Sequence, residues 1–156
     1  MIDTALAALL ELLAVPGVGL TALFVASLLA ATLLPLGSEP VLAAVLLNEP
    51  GLLWPALGVA TLGNTLGGAI GYGMGYGARE AFTKERASRW FGWLQRFGAR
   101  TMLLAWVPLI GDPICVLGGW LRLPFWPSVF YMALGKLLRY LVLAWPLAHW
   151  AGLPGQ

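Results

Sequence analysis

A proline-flanked acidic motif occurs twice in this chain, within stretches that are otherwise apolar. Its copies are Pro35-Leu36-Gly37-Ser38-Glu39-Pro40 and Pro108-Leu109-Ile110-Gly111-Asp112-Pro113. Proline removes a backbone amide donor and clashes with the preceding turn, so an α-helix is not expected to continue through either motif. Each motif therefore predicts a break between two helical segments, and each break carries one acid. The predicted breaks are marked by Pro35, Pro40, Pro108 and Pro113.

The similarity between the two halves continues downstream of the motifs. Trp54-Pro55 and Leu62-Gly63-Asn64 recur as Trp126-Pro127 and Leu134-Gly135-Lys136. Corresponding residues are 73 positions apart at the acid and 72 positions apart afterwards. The shared order and spacing indicate a duplicated unit, with one repeat at about 17–77 and the other at about 101–150.

The composition of the chain indicates a lipid environment. Hydrophobic residues make up 60% of the 156 residues and charged residues 10%, which is far more apolar than a soluble domain. The blocks 52–77 and 125–150 are long enough to span a bilayer. The blocks 17–47 and 101–121 contain the breaks and suit re-entrant hairpins, because unpaired backbone at membrane depth must be buried in protein or line a wet cavity.

The segment between the repeats is basic and aromatic. Six cations lie between Arg79 and Arg100, opposed by two glutamates, so the positive-inside rule predicts that residues 78–100 are cytoplasmic. Aromatic and leucine residues recur at helical spacing within 81–99, which favours an amphipathic helix on anionic headgroups. A basic aromatic stretch can also bind nucleic acid, but the flanking membrane segments favour lipid and no nucleic acid.

Counting membrane crossings gives the predicted topology. Each repeat contains one re-entrant hairpin and one spanning helix, so the second repeat is inverted and the hairpin tips meet near the midplane. The sequence thus predicts an all-α integral membrane protein, a single domain over residues 1–156, with a cytoplasmic amphipathic helix at 78–100. An additional interfacial helix is predicted at 2–15. Glycine recurs at every fourth position from Gly63 to Gly75, which predicts close helix packing within the chain or a homodimer.

Polar residues are few within the apolar blocks. The candidate substrate and proton site comprises Glu39, Asp112, Lys136, Arg139 and Asn64. Lys136 lies about eleven residues into its helix, or roughly 16 Å by helical rise, which is close to the midplane. Charges at that depth persist when they are paired, wet or functional. Two alternatives therefore stay open: the acids and bases pair to hold the fold together, or they form a transport site.

The chemistry of these side chains suits protons and phosphate. Burial favours the neutral carboxyl group, which makes Glu39 and Asp112 candidate proton carriers, whereas nearby cations oppose protonation. Lys136 and Arg139 suit a phosphate-bearing headgroup. One cysteine and one histidine argue against a metal site or a histidine-dependent catalytic triad. No cofactor is predicted, because no phosphate-cradling loop is present.

Four segments resemble the YqaA-like branch of the DedA superfamily, whose shared VTT region is also called SNARE-associated Golgi protein. They are LLPLGSEPVL, LGNTLGGAIGY, WVPLIGDPICVLGGWLRLPFWP and ALGKLLRYLVLA. The resemblance covers about residues 17–150 and implies a bacterial inner-membrane protein with two opposed re-entrant hairpins. It also implies movement of undecaprenyl phosphate or phospholipids across the bilayer, often linked to the proton gradient.

Individual positions match the superfamily pattern unevenly. Glu39 falls on the acid of the family's first hairpin, and Gly118-Gly119 on the Ala-Gly that closes the second. Many DedA proteins carry two arginines around the proline of the second hairpin, where this chain has Ala105 and Gly111. Asp112, Lys136 and Arg139 supply different charges there.

These observations favour a membrane transporter or flippase for a lipid-linked phosphate or a phospholipid. The alternative is a non-transporting membrane integrity or assembly factor, in which the intramembrane charges are structural. An intramembrane hydrolase is disfavoured because Gly37-Ser38 is not a nucleophile elbow. The protein is therefore not expected to be an enzyme.

Overall fold

The structure, a computed structural model, is mostly helical in the part of the chain that it describes. The described residues are 16–32, 38–78, 92, 94, 96–107 and 110–150. The all-α prediction is confirmed for these ranges. The predicted helix at 2–15, the prolines at 35 and 108, and most of the 78–100 segment lie outside them.

Among the described residues, five α-helices and two 3₁₀ helices have defined bounds. They are α1 (Pro16–Thr32), α2 (Glu39–Asn48), a short 3₁₀ helix (Pro50–Leu52), α3 (Leu53–Ala78), a longer 3₁₀ helix (Gly98–Trp106), α4 (Gly111–Trp120) and α5 (Phe125–Trp150). The predicted breaks separate α1 from α2 and the longer 3₁₀ helix from α4. The 3₁₀ form over nine residues was not predicted, because side-chain periodicity and propensity do not distinguish it from a short α-helix.

The second proline of each motif lies inside the first turn of a helix. Glu39 and Pro40 are the first two residues of α2, and Asp112 and Pro113 are the second and third residues of α4. Proline is tolerated there because the first amides of a helix have no intrahelical acceptor. Each acid also lies at the positive end of the helix dipole, which stabilises a carboxylate. The two acids are therefore held at equivalent helix starts.

Glycines allow close contact in both halves of the molecule. A Cβ atom at Gly63 would lie 2.6 Å from the carbonyl oxygen of Phe24 in α1. A Cβ atom at Gly135, 72 positions later, would collide with the carbonyl oxygen of Leu103 in the longer 3₁₀ helix. The first helix of each hairpin thus packs against the long helix that follows it.

The glycine stripe of α3 packs within the chain. Gly67 lies where a Cβ atom would be 2.6 Å from the Cβ atom of Ala31 in α1. On another face of the helix, a Cβ atom at Gly75 would collide with the backbone of Val116 in α4. The stripe therefore allows two neighbouring helices to approach α3, and close packing within the chain is confirmed.

The outer surface of the two long helices is apolar. Exposed large hydrophobic residues recur along α3 and α5 at matching positions 72 residues apart: Trp54 and Trp126, Leu62 and Leu134, Leu66 and Leu138, Ile70 and Val142. Polar side chains are buried instead, among them Ser27, Ser38, Asn64, Thr101, Ser128 and Lys136. This arrangement reverses that of a water-soluble protein, which places most polar residues outside. It fits a bundle whose surroundings are lipid.

The length of α5 fits a bilayer. Within the described residues, one helix is long and apolar enough to cross a membrane, over Phe125–Pro146, so the prediction that 52–77 also spans is not confirmed by this finding. Two exposed tryptophans, Trp126 and Trp145, are separated by about 28 Å at 1.5 Å per residue. That distance is close to the roughly 30 Å of a hydrocarbon core, and tryptophan favours both of its interfaces.

Candidate functional site

Lys136 is the centre of the site. It lies midway between Trp126 and Trp145 on α5, and its side chain is 1% exposed. Its ammonium group donates hydrogen bonds to the backbone oxygen of Asn64 at 2.6 Å and to the side-chain oxygen of the same residue. The third partner is Asp112, whose Oδ1 lies 3.2 Å from Nζ. The buried cation is thus held by two neutral oxygens and one carboxylate.

Gly68 leaves room for this ammonium group. A Cβ atom at position 68 would lie 3.0 Å from Lys136 Nζ and 2.5 Å from Met132 Sδ. Cys115 Sγ lines the same space at 3.4 Å and donates a hydrogen bond to the backbone of Gly111. A side chain at position 68 would separate Lys136 from α3, so the site requires glycine at this position.

Asn64 is oriented by Tyr140. The Asn64 amide nitrogen donates a hydrogen bond to the Tyr140 hydroxyl at 2.6 Å, which directs the amide oxygen towards Lys136. The same hydroxyl shares a hydrogen bond of 2.5 Å with Ser38. Ser38, Asn64 and Tyr140 are all buried. A continuous hydrogen-bonded chain therefore runs from the start of α2, through α3 and α5, to the start of α4.

A second ion pair lies one turn further along α5. Arg139 pairs with Glu39 in the first turn of α2. The Nε atom of Arg139 is buried and has no hydrogen-bond partner within the described part of the chain. Both acids of the duplicated motif thus pair with cations on α5, since the counterparts of these cations on α3 are the neutral Asn64 and Gly67.

The acid of each pair is more exposed than the base. The side chain of Asp112 is 37% exposed against 1% for Lys136, and Glu39 is 26% exposed against 11% for Arg139. The carboxylates therefore line the accessible side of the site, and the cations lie behind them. Burial of a cation in this way strengthens its attraction for any anion that reaches it.

The structure brings together all five candidate residues of the sequence analysis. Asn64, Asp112 and Lys136 form one group, and Glu39 pairs with Arg139 beside it. Ser38 and Tyr140 join these groups and were missed. Ser38 lies within the duplicated motif, and Tyr140 follows Lys136 by four residues on the same helix face. These sequence positions were the signals that could have identified both residues as part of the site. Pro40 and Pro113 lie in the first turns of the helices that carry the acids.

The chemistry of the cluster is that of ion pairs and hydrogen bonds. The described residues contain no group of three or more His, Cys, Asp and Glu side chains that could hold a metal ion. Ammonium and guanidinium groups at this depth bind anionic oxygens, and partly exposed carboxyl groups can exchange protons with water. The arrangement can therefore bind an anion, carry a proton or hold the bundle together.

Comparison with known proteins identifies the family. The chain is 44% identical to the inner membrane protein YqaA of Escherichia coli strain K12 over 129 residues, which cover 80% of this chain and 88% of the relative. The chain belongs to the YqaA family. The same identity and coverage are found with YqaA of Shigella flexneri. An uncharacterized protein of Haemophilus influenzae is 36% identical over 131 residues, or 78% of this chain and 82% of the relative.

YqaA proteins belong to the DedA family, so the resemblance drawn from the four sequence segments is confirmed. Membership also gives the location, which is the bacterial inner membrane. No model of a known protein family matches the chain. No solved structure matches it either.

Proposed function

We propose that this YqaA-family protein moves a phosphate-bearing lipid across the inner membrane through the polar cluster around Lys136. The substrate is either a lipid-linked phosphate such as undecaprenyl phosphate or a phospholipid. The observation that carries the proposal is a cation buried midway along a bilayer-length helix, behind a carboxylate that remains partly exposed. A phosphate group that reaches this depth would find its counter-charge there.

The proposed topology follows from the repeat. α3 and α5 cross the membrane in opposite directions, and the two helix–break–helix units enter from opposite faces as re-entrant hairpins. Residues 78–100 lie in the cytoplasm as an amphipathic helix. Support comes from the matching apolar stripes on α3 and α5 and from the equivalent helix starts at Glu39 and Asp112.

Proton coupling is part of the proposal. Glu39 and Asp112 alternate between the charged form, paired with a cation, and the neutral form when the cation binds substrate. Their partial exposure, 26% and 37%, supports proton exchange with water. No bond of the substrate is made or broken, so the protein acts as a transporter and not as an enzyme. A homodimer stays a prediction, and it would use a surface other than the glycine stripe.

A second candidate function is a non-transporting integrity or assembly factor. The completeness of the two ion pairs favours it, because each acid already has a cation within the chain. In that case the charges only hold the hairpins against α5. Loss of either acid would then lower the amount of folded protein and leave no separate defect in lipid movement.

Lipid movement in proteoliposomes separates the two functions. Fluorescent phospholipid and undecaprenyl phosphate are followed in vesicles with and without a pH gradient, using wild type, Glu39→Gln and Glu49→Gln. Glu49 directly follows α2, at the opposite end of the helix from Glu39, so its substitution removes the same charge outside the cluster. We expect flux in wild type and Glu49→Gln, and its loss in Glu39→Gln at an equal amount of reconstituted protein. Absence of wild-type flux for both lipids contradicts transport.

A further inference from the structure

The three oxygen partners of Lys136 are not equivalent. Both oxygens of Asn64 lie closer to Nζ than Asp112 does, at 2.6 Å or less against 3.2 Å. Asn64 is buried and is fixed by Tyr140, whereas Asp112 is 37% exposed. Two of the three ammonium protons are therefore bound firmly to neutral groups inside the protein. The third is bound to a carboxylate at the accessible edge.

The two ion pairs also differ from each other. Arg139 pairs with Glu39, and its buried Nε atom has no hydrogen-bond partner within the described residues. Lys136, in contrast, is bound by two neutral oxygens of Asn64 in addition to its carboxylate, and it would keep both of them after the loss of Asp112. Ligand exchange is therefore easier at Lys136.

From this geometry we propose that Asp112 is an internal anion that occupies a phosphate site on Lys136 and is displaced when substrate binds. The ligand is a phosphate group, which presents anionic oxygens of the same charge as the carboxylate it replaces. Asn64 keeps the ammonium group in place during the exchange, and Tyr140 acts as a positioning residue for Asn64. The inference rests on the proposed function and deepens it by naming the cation that receives the phosphate.

Lys136 meets the requirements of such a site. Its ammonium is a compact point charge with three donors, of which one can change partner without disturbing the other two. Asp112 is the second residue of α4, so it lies at the end of a helix and not in its middle. The space beside Nζ is kept open by Gly68.

Equilibrium binding to the purified full-length chain in detergent tests the proposal. The probes are inorganic phosphate and dihexanoyl phosphatidic acid, titrated by calorimetry into wild type, Asp112→Asn, Glu49→Gln and the double variant Asp112→Asn/Lys136→Gln. Asparagine at 112 retains an oxygen that can accept from Lys136, so folding is expected to persist. Glu49→Gln is the matched control for loss of one negative charge.

Removal of the competing carboxylate should tighten binding to Asp112→Asn by about tenfold, equal to about 1.4 kcal/mol. Glu49→Gln should bind like wild type, and the double variant should lose the gain. Tighter binding of both probes supports a phosphate site open to free phosphate, and tighter binding of phosphatidic acid alone supports a lipid headgroup site. Unchanged or weaker binding of both probes to Asp112→Asn overturns the proposal. So does a full gain in the double variant.

The comparison of Asp112→Asn with wild type decides the outcome even where the double variant fails to fold. Failure of this inference is distinct from failure of transport. If Asp112→Asn binds phosphate more tightly but the wild type moves no lipid, the phosphate site on Lys136 is supported and the transport function is contradicted. If the wild type moves lipid but Asp112→Asn does not bind phosphate more tightly, the transport function is supported and the displacement of Asp112 is contradicted.

Discussion

Replacing Tyr140 with phenylalanine removes one buried oxygen atom that links α5 to the start of α2 and to α3. The Tyr140 hydroxyl accepts a hydrogen bond from Asn64 at 2.6 Å and shares another of 2.5 Å with Ser38. All three side chains are buried. The substitution preserves the ring and its packing, so its effect reports on hydrogen bonding alone.

The expected magnitude follows from the two hydrogen bonds lost. Hydrogen bonds between membrane helices contribute about 0.6 kcal/mol on average and up to about 1.7 kcal/mol. Two such bonds, with buried partners that find no water, give a decrease in the free energy of unfolding of about 1–3 kcal/mol. Ser38→Ala removes one of the two and should produce about half the effect.

Reversible unfolding by sodium dodecyl sulfate in mixed micelles, followed by circular dichroism, measures this free energy. The matched control is Tyr131→Phe on the same helix. The ring of Tyr131 contacts Phe130 at a centroid distance of 5.7 Å, and no hydrogen bond of its hydroxyl is found in the described part of the chain. A decrease for Tyr140→Phe of under about 0.3 kcal/mol, or one equal to that of Tyr131→Phe, would refute the hydrogen-bonded chain.

Two further predictions concern packing and charge. Gly75→Ala should destabilise the protein because its Cβ atom would collide with the backbone of Val116. Gly73→Ala is the matched control, because its Cβ atom would meet nothing within 4 Å, and it should be neutral or stabilising by up to about 1 kcal/mol. Thermal unfolding in detergent compares the two variants. Equal melting temperatures would contradict the close packing of Gly75 against α4. Glu39→Gln and Arg139→Gln should each reduce stability by about 1–3 kcal/mol, between the values for exposed and buried pairs. A double-mutant cycle should show that the combined loss is smaller than the sum, and strict additivity would exclude their interaction.

Much of the fold could be predicted from the sequence because its signals are local. Proline is disfavoured beyond the first turn of a helix, and the two acidic motifs therefore predicted new helix starts, which are found at α2 and α4. Apolar length located α3 and α5. The spacing of Lys136 and Arg139 placed both on one face of α5, and the scarcity of charge in the apolar blocks singled out Glu39 and Asp112.

The connections within the site could not be predicted because they depend on tertiary packing. Ser38 and Tyr140 are 102 positions apart, and a tyrosine within an apolar helix is most often a packing residue. Helical spacing put two cations near two acids without indicating which would pair. The difference in exposure between Asp112 and Lys136 arises from how α3, α4 and α5 pack around the ammonium group, so no local pattern contains it.

We propose that the acidic edge of the cluster contacts water while the outer faces of α3 and α5 contact lipid. Asp112 and Leu138 distinguish the two surroundings, because both side chains reach the surface of the bundle but one is acidic and the other is apolar. The measurement is the rate at which a membrane-impermeant thiol reagent labels Asp112→Cys and Leu138→Cys in inner-membrane vesicles of both orientations. Cys115→Ala serves as the background in both variants. We predict rapid labelling at position 112 from one face and none at position 138. Labelling of Leu138→Cys as fast as that of Asp112→Cys would contradict the assignment of these two surfaces to lipid and to water.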